Sequence, residues 1–273
     1  MLIDKSKFNS KKELITFMVK HKSELITQKK SSIKHADGFS FLSAPNLIYN
    51  KGHALKTNEP IENPEDNLSV SVVINSSNWF DSHEDVHIPG LWTKSLKENK
   101  NPMHVQEHKS NEFNKIIASG KDLKAYTESY TWKDLGYNLE GTTEALMHDS
   151  IIRKSRNPYM HDQYAKGYVT NHSVGMQYIK LFFCCDDEEF EQEFEMYKKY
   201  IDLVTNKDDI TDGYFWAVTE AKYLEGSAVP FGSNVMTPTI DNNTEPQKAL
   251  KTEPDLSTLI KDINNINFNS DGK

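Results

Sequence analysis

A histidine stands directly before a serine at His172-Ser173, inside a segment, residues 167–183, whose pattern predicts a β-strand. Serine is a weak nucleophile until a base at about 2.6–3.2 Å takes its proton, so the adjacent histidine is the first candidate for that base. On a strand, however, successive side chains point to opposite faces. We therefore predict that His172 packs or lies at the surface, and that Ser173 needs a base from another strand.

The segment 83–87 could also do chemistry, because its sequence HEDVH fits the pattern H-E-x-x-H. On a helix this spacing places the imidazoles of His83 and His87 on one face for zinc, with Glu84 as general base and Glu107 as a possible third ligand. A proline and a glycine follow almost at once, and the residues before the segment carry no helical apolar period. We interpret it as a polar turn between a strand and a short helix, with a zinc protease as the alternative.

One further serine and the two cysteines could also be nucleophiles, but we predict that they have structural roles. Ser227 lies between Gly226 and Ala228, and we expect it to fix a tight strand start. The only two cysteines, Cys184 and Cys185, extend an apolar run and are predicted to pack in the core. Because adjacent cysteines cannot crosslink distant elements, they indicate a reducing, intracellular compartment.

The charge and hydropathy of the chain argue against several classes of function. The 273 residues carry a formal net charge of -8, whereas binding to duplex nucleic acid is built on clustered Lys and Arg. No apolar run approaches the ~18 residues that a membrane span needs, and no apolar core of a signal peptide opens the sequence. We expect a soluble, cytoplasmic protein that binds neither nucleic acid nor membranes.

The order of the predicted elements is typical of an α+β protein, with a mostly antiparallel β-barrel or sheet as its core and helices at its flanks. The predicted strands cover 69–75, about 103–108, 115–118, two pieces within 124–144, 167–183, and two pieces within 214–234. The predicted helices cover 11–30, 145–166 with a break at Asn157-Pro158, and 186–209, whose first turn is acidic.

The composition divides the chain into three regions. Residues 1–66 are predicted to be a helical and linker extension, and 67–240 the main domain, in which 186–209 is an acidic helical insertion. Residues 241–273 are rich in Asn, Asp, Thr and Lys and are predicted to be a disordered tail. The hydrophobic fraction of 37% is low for this length, as expected if part of the chain is not core.

Four segments, taken in order, resemble the prohead (capsid maturation) proteases of tailed bacteriophages. That family has an acidic turn that leads through Pro-Gly to a helix, here residues 85–92, and then an apolar strand that ends in a histidine, here 105–108. A glycine-led strand with Ser-aliphatic-Gly follows, here 173–175, and a Glu-x-Ser-x-Val segment near an asparagine closes the series, here 225–234. The resemblance covers about residues 69–240. It implies a fold related to that of the herpesvirus assemblins, in which helices flank a β-barrel.

The resemblance implies a catalytic triad that uses no cofactor. His108 becomes the general base, Ser173 the nucleophile, and Glu225 the residue that orients the histidine. The members of such triads come from separate strands, so large separations in sequence are usual. Backbone N–H groups after the serine, Arg153 and Arg156 are candidates for the oxyanion hole.

For two of these roles, the third triad member and the general base, the sequence offers alternative residues. The interval from the serine to Glu225 is longer than we expect for the family, so Glu220 or a residue of the 186–209 insertion could be the third member. His104 could replace His108 as the base, because residues four apart on a strand share a face. The spacing of these residues does not decide between the candidates.

For the whole chain, the resemblance implies a serine endopeptidase that cleaves scaffold and capsid proteins, and itself, during procapsid maturation. The scaffold and the major capsid protein would be its partners as substrates, alongside self-association, and it would act in the host cytoplasm inside the assembling procapsid. The competing functions are the zinc protease at 83–87 and a catalytically inactive capsid-assembly or scaffold protein with the same fold.

Overall fold

The computed structural model describes residues 3–34 and 66–242, all of which belong to one compact unit. The strands are β1 (Ile33–Lys34), β2 (Asn67–Ser76), β3 (Asp85–His87), β4 (Met103–Gln106), β5 (Ile116–Ser119), β6 (Leu123–Thr131), β7 (Thr142–Arg153), β8 (His172–Cys185), β9 (Tyr214–Ala228) and β10 (Thr239–Asn242). The α-helices are α1 (Lys11–Lys20), α2 (Lys22–Ser31), α3 (Thr93–Glu98), α4 (Pro158–Ala165) and α5 (Glu191–Tyr200). Short 3-10 turns cover Lys5–Lys7, Phe113–Lys115, Gly120–Asp122, Ile201–Leu203 and Lys207–Asp209.

The strands form two sheets. One has the order β1-β8-β9-β4-β5, with β3 also paired to β9, and the other has the order β10-β2-β7-β6. All pairs are antiparallel except β3 and β4, which run parallel to β9 and share its edge. The predicted α+β class is confirmed. Of the two predicted forms of the core, sheet or barrel, the described residues form sheets, and neither sheet closes into a barrel.

Side chains from both sheets and from the N-terminal helices make the largest apolar cluster. It includes Ile74 of β2, Leu146 of β7, Val174 of β8 and Tyr223 of β9, all buried. This common core fixes the relative positions of the strands that carry the predicted site residues, because burial of apolar area is the main favourable contribution to folding.

The helices of the predicted N-terminal extension belong to the same core. The Ser10 hydroxyl accepts a hydrogen bond from the backbone N–H of Glu13 and so caps α1. Leu14, Ile15 and Met18 of α1 are buried in the main apolar cluster. Of the described helices, none is long and apolar enough to cross a membrane. The rest of the extension, and the tail after Asn242, lie outside the described residues.

Several predicted boundaries are wrong; of the helix predicted for 186–209, for example, only 191–200 form an α-helix, α5. Residues 142–153 form a strand, β7, instead of the first half of a helix, and only the second half is helical, as α4. Four consecutive residues of β7, 145–148, are buried, so apolar side chains on both faces obscure the two-residue period. The two strand pieces predicted within 214–234 are one strand as far as Ala228, because β9 continues through Gly226 without a turn.

Three buried histidines lie between the two sheets. The ring of His104 lies 5.3 Å from that of His148 and 6.0 Å from that of His172, centroid to centroid. The Tyr164 hydroxyl lies 3.1 Å from Nε2 of His104 and 2.9 Å from Nε2 of His172. These contacts tie α4 to strands of the six-stranded sheet.

Burial keeps this histidine cluster neutral. It lowers the pKa of His148 to about 3 and that of His172 to about 4, because a charged imidazole would lose its hydration in the core. Burial, with the neighbouring imidazoles, also holds the pKa of His104 well below its ordinary value. The cluster can therefore be protonated only at a cost to the folded state.

We predict that acidification destabilises the protein through this cluster. Between pH 6.5 and about 4 the unfolded chain binds protons on these histidines that the folded chain does not, so the free energy of unfolding falls as the pH falls. At about 1.4 kcal/mol per pKa unit, His148 and His172 together contribute a loss on the order of 5 kcal/mol by pH 4.5. Urea denaturation at several pH values measures this loss.

The matched variant is His148→Gln. Its amide can accept a hydrogen bond from the Tyr223 hydroxyl, which lies 2.6 Å from the imidazole, but does not titrate. We expect a shallower loss of stability with falling pH in this variant, and an unchanged slope would contradict the assignment.

Candidate active site

The predicted site residues of β9 lie on the outer face of the six-stranded sheet. A methyl group added at Gly226 would lie 2.4 Å from Cε1 of His148 and 2.8 Å from Cδ1 of Ile74, so Gly226 faces the other sheet. Its neighbours along the strand, Glu225 and Ser227, therefore point away from the other sheet.

The register of β8 against β9 brings Ser173 to the same face. Ser173 is paired with Ser227, and Gly175 with Glu225. Residues directly opposite on antiparallel strands have their side chains on one face, with Cβ atoms about 4.5–5.5 Å apart. His172 points inward to the Tyr164 hydroxyl, as strand alternation predicts, and cannot act on Ser173.

His108 and Glu225 are joined by a hydrogen bond of 2.6 Å between Nδ1 of the ring and Oε1 of the carboxylate. Both side chains are largely buried. Donation of the Nδ1 proton to the carboxylate fixes one tautomer of the neutral imidazole and leaves Nε2 as the basic nitrogen. This is the relation between base and orienting acid that a serine triad requires.

A left-handed turn directs His108 toward Glu225. Strand β4 ends at Gln106, and the next two residues, Glu107 and His108, have φ angles of 52° and 58°. Positive φ is uncommon for residues other than glycine, and such conformations persist when surrounding contacts hold them. Here the backbone N–H of Glu107 donates to the Ala228 carbonyl at 3.0 Å, which ties the turn to the end of β9.

Ser173 is close to this pair in the sheet but is not hydrogen-bonded to it. The residue is 6% exposed, and within residues 3–34 and 66–242 its hydroxyl makes no hydrogen bond to the His108 ring. Catalytic hydrogen bonds are often long before substrate binds and shorten in the complex. The catalytic roles of Ser173, His108 and Glu225 therefore remain predictions, with two of the three groups in contact.

Gly175 leaves the space that the Glu225 carboxylate occupies. A Cβ atom at this position would lie 2.1 Å from Oε1 and 2.8 Å from Cδ of Glu225. A glycine is needed here because the carboxylate lies directly against the backbone of β8. The glycine of the Ser-Val-Gly segment thus has a steric role in the site.

His104, the second candidate for the base, is not at the site. It is fully buried, with Nδ1 at 2.9 Å from the Ser150 hydroxyl and Nε2 at 3.1 Å from that of Tyr164. The expectation that His104 and His108 share a strand face is wrong, because β4 ends at Gln106 and His108 lies in the turn beyond it.

Three further candidate residues, Glu220, Arg153 and Arg156, contact partners elsewhere. Glu220 pairs with Lys94 at 3.2 Å and lies five residues before Glu225 on β9. Arg153 makes two hydrogen bonds to the Asp122 carboxylate, at 2.7 and 2.8 Å. Arg156 donates to the Ser119 hydroxyl at 2.8 Å. These contacts do not involve the predicted triad.

The HEDVH segment is not helical. Glu84 has a φ of 62° and belongs to a turn, and the strand β3 then pairs with β9. His87 is buried, with Nδ1 at 2.9 Å from the Asn75 amide oxygen. The helical face that would join His83 and His87 at one zinc ion is therefore not formed, and the segment is a turn and a strand.

Asp81, Asp85 and His87 each offer a ligand atom within 4.8 Å of the others, and this is the group in the described residues that could hold a metal ion. It does not include His83 or Glu84. Protein groups already bind its carboxylates: Asp85 pairs with Lys29 at 2.6 Å and accepts the Tyr178 hydroxyl, and Asp81 accepts backbone N–H groups at 2.8 and 3.1 Å. These contacts explain why the acidic residues can be buried.

The two cysteines lie in the core. Both are buried, and burial raises the pKa of each thiol to about 12. The thiolate is the nucleophilic form, so neither residue is prepared for nucleophilic chemistry.

The outer face of β8 and β9 thus brings together Ser173, Ser227, Glu225 and, through the turn after β4, His108. No protein-family model, curated protein or solved structure matches the chain at a significant level. The contacts of Ser227 and Gly175 with Glu225 were missed from the sequence, although the alternation of a strand was a signal that Glu225 and Ser227 share a face.

We predict that Gly175→Ala disrupts the site while the fold survives. The added methyl group would displace the Glu225 carboxylate and break its hydrogen bond to His108. Misplacement of a catalytic group by about 1 Å can cost about 100-fold in rate, so we expect a loss of up to that order. The rate at which a fluorophosphonate labels Ser173 measures the effect.

The control is Gly226→Ala, which adds the same group to the opposite face of the adjacent strand. It should lower the free energy of unfolding by about 1–3 kcal/mol, because the core is overpacked against His148 and Ile74. Labelling per folded molecule should be retained. Equal labelling of the Gly175→Ala variant and the wild type would count against the site.

Proposed function

We propose that this protein is a serine endopeptidase in which His108 is the general base, Ser173 the nucleophile and Glu225 the residue that orients the base. The observation that carries the proposal is the 2.6 Å hydrogen bond between His108 and Glu225 on the face that also bears Ser173. The resemblance of the sequence to prohead proteases implies the same three residues.

The proposed reaction follows the usual order of serine proteolysis. The Ser173 hydroxyl oxygen attacks the scissile carbonyl carbon as its proton passes to Nε2 of His108. The Glu225 carboxylate stabilises the imidazolium through Nδ1, and Nε2 then gives its proton to the leaving amine as the C–N bond breaks. Water then attacks the ester carbonyl carbon of the acyl-enzyme as Nε2 takes one of its protons, and that proton passes to the serine oxygen as the ester C–O bond breaks and the carboxylic acid product leaves.

We further propose that the substrates are the scaffold and the major capsid protein of a tailed bacteriophage, and the chain itself, during procapsid maturation. This step rests on the resemblance of the four segments between residues 69 and 240. The same resemblance supports a relation in fold to the herpesvirus assemblins. The enzyme would then act inside the procapsid, in the host cytoplasm.

We predict that Ser173→Ala and His108→Ala each abolish self-cleavage of the full chain and labelling by a fluorophosphonate. Loss of a triad member removes at least about 10³-fold of the rate, because the remaining groups do not act independently. Intact-mass spectrometry of the expressed chain detects self-cleavage, and peptide mapping identifies the labelled serine.

The control is His172→Ala. It removes a buried hydrogen-bonding ring and should lower stability, but its folded fraction should still be labelled at Ser173. Full activity of Ser173→Ala would exclude the triad. Stoichiometric zinc with chelator-sensitive cleavage would favour a metalloprotease, and a folded chain without cleavage or labelling would favour an inactive capsid-assembly protein.

A further inference from the structure

We propose that Ser227 is a positioning residue whose hydroxyl holds the His108–Glu225 pair in its reactive geometry. The inference rests on the proposed function and adds a residue to it. In the sequence, Ser227 is conspicuous because it lies between two small residues, Gly226 and Ala228. Its hydroxyl contacts His108 and Glu225, which suits a supporting role for the base and not the role of nucleophile.

The Ser227 hydroxyl contacts both members of the pair. Its oxygen donates to Oε2 of Glu225 at 2.8 Å and accepts the backbone N–H of His108 at 2.9 Å. A hydroxyl has one proton to donate and two lone pairs to accept with. Its proton is thus used on the carboxylate, and Ser227 is fully buried.

The first contact fixes the carboxylate. Oε1 of Glu225 accepts from the His108 ring and Oε2 accepts from Ser227, so rotation of the carboxylate would break one of the two bonds. The backbone at Gly175 bounds the same group on the β8 side. A carboxylate held at both oxygens presents Oε1 to the imidazole in one orientation.

The second contact fixes the turn. His108 has a left-handed backbone, and the hydrogen bond of its own N–H ends on the Ser227 side chain. Without the hydroxyl, that part-buried N–H would lose this hydrogen bond, and a φ of 58° would lose one of its supports. The backbone of His108 and the carboxylate that its ring contacts are therefore both bound to one oxygen atom.

The test uses a fluorophosphonate probe on the full chain and compares Ser227→Ala with Ser76→Ala. Ser76 is equally buried, and its hydroxyl donates to the Met236 carbonyl instead of to a residue of the proposed triad. We expect the probe to label Ser173 up to about 100-fold more slowly per folded molecule in Ser227→Ala, and at the wild-type rate in Ser76→Ala. Ser227→Thr keeps the hydroxyl and should recover most of the lost rate.

A second measurement does not depend on activity. A strong hydrogen bond from the His108 ring to a carboxylate gives a downfield imidazole N–H resonance in proton NMR, which His108→Gln assigns. We expect Ser227→Ala to weaken or lose this resonance and Ser76→Ala to keep it. Urea denaturation shows whether the variants are equally folded under the conditions used.

The outcomes separate the two proposals. Unchanged labelling and an unchanged resonance in Ser227→Ala would overturn the positioning role, whatever its stability. A wild-type chain that is not labelled at Ser173, but whose resonance disappears in Ser227→Ala, would exclude the proposed protease while upholding Ser227 as the residue that holds the histidine–carboxylate pair.

Discussion

The hydrogen bond between His108 and Glu225 depends on the parallel pairing of β4 with β9. That pairing places the end of β4 beside Ser227 and Ala228, and the left-handed turn that follows directs the imidazole back over the carboxylate. Strand β4 has four residues and the turn after it has positive φ angles, so both depend on their hydrogen bonds to β9. The long strand β9 therefore carries the Glu225 carboxylate and also supports the turn that carries the His108 imidazole.

The two faces of β8 and β9 provide opposite environments for polar groups. At the inner face, burial keeps His172 of β8 and His148 of the opposing strand β7 neutral, and their hydrogen bonds go to hydroxyl and carbonyl groups. On the outer face, Nδ1 of His108 lies 2.6 Å from the Glu225 carboxylate and is hydrogen-bonded to it. The two faces therefore hold different kinds of histidine: His148 and His172 are neutral core residues, and His108 is the candidate base.

The sequence was sufficient for conclusions that depend on neighbours along the chain, and insufficient for those that depend on distant pairing. Strand alternation correctly separated His172 from Ser173, and helical periodicity found α1, α2 and α5. These patterns failed to predict β7, because it is buried on both faces. They also failed to predict the turn at His108, because the residue with positive φ there is not a glycine. The contacts of Ser227 also required the parallel pairing of β4 and β9, which sequence patterns do not specify.

Strand β1 covers part of one edge of β8, the strand that carries Ser173. Its two residues pair with Gln177 and Met176 on the edge of β8 opposite to β9, and the Gln177 amide also donates to the Lys30 carbonyl at 3.2 Å. An uncovered edge of this kind can recruit a strand from another molecule. Here the molecule uses its own N-terminal segment as that strand, so this stretch of the edge of β8, the strand that carries Ser173, is already paired within the same chain.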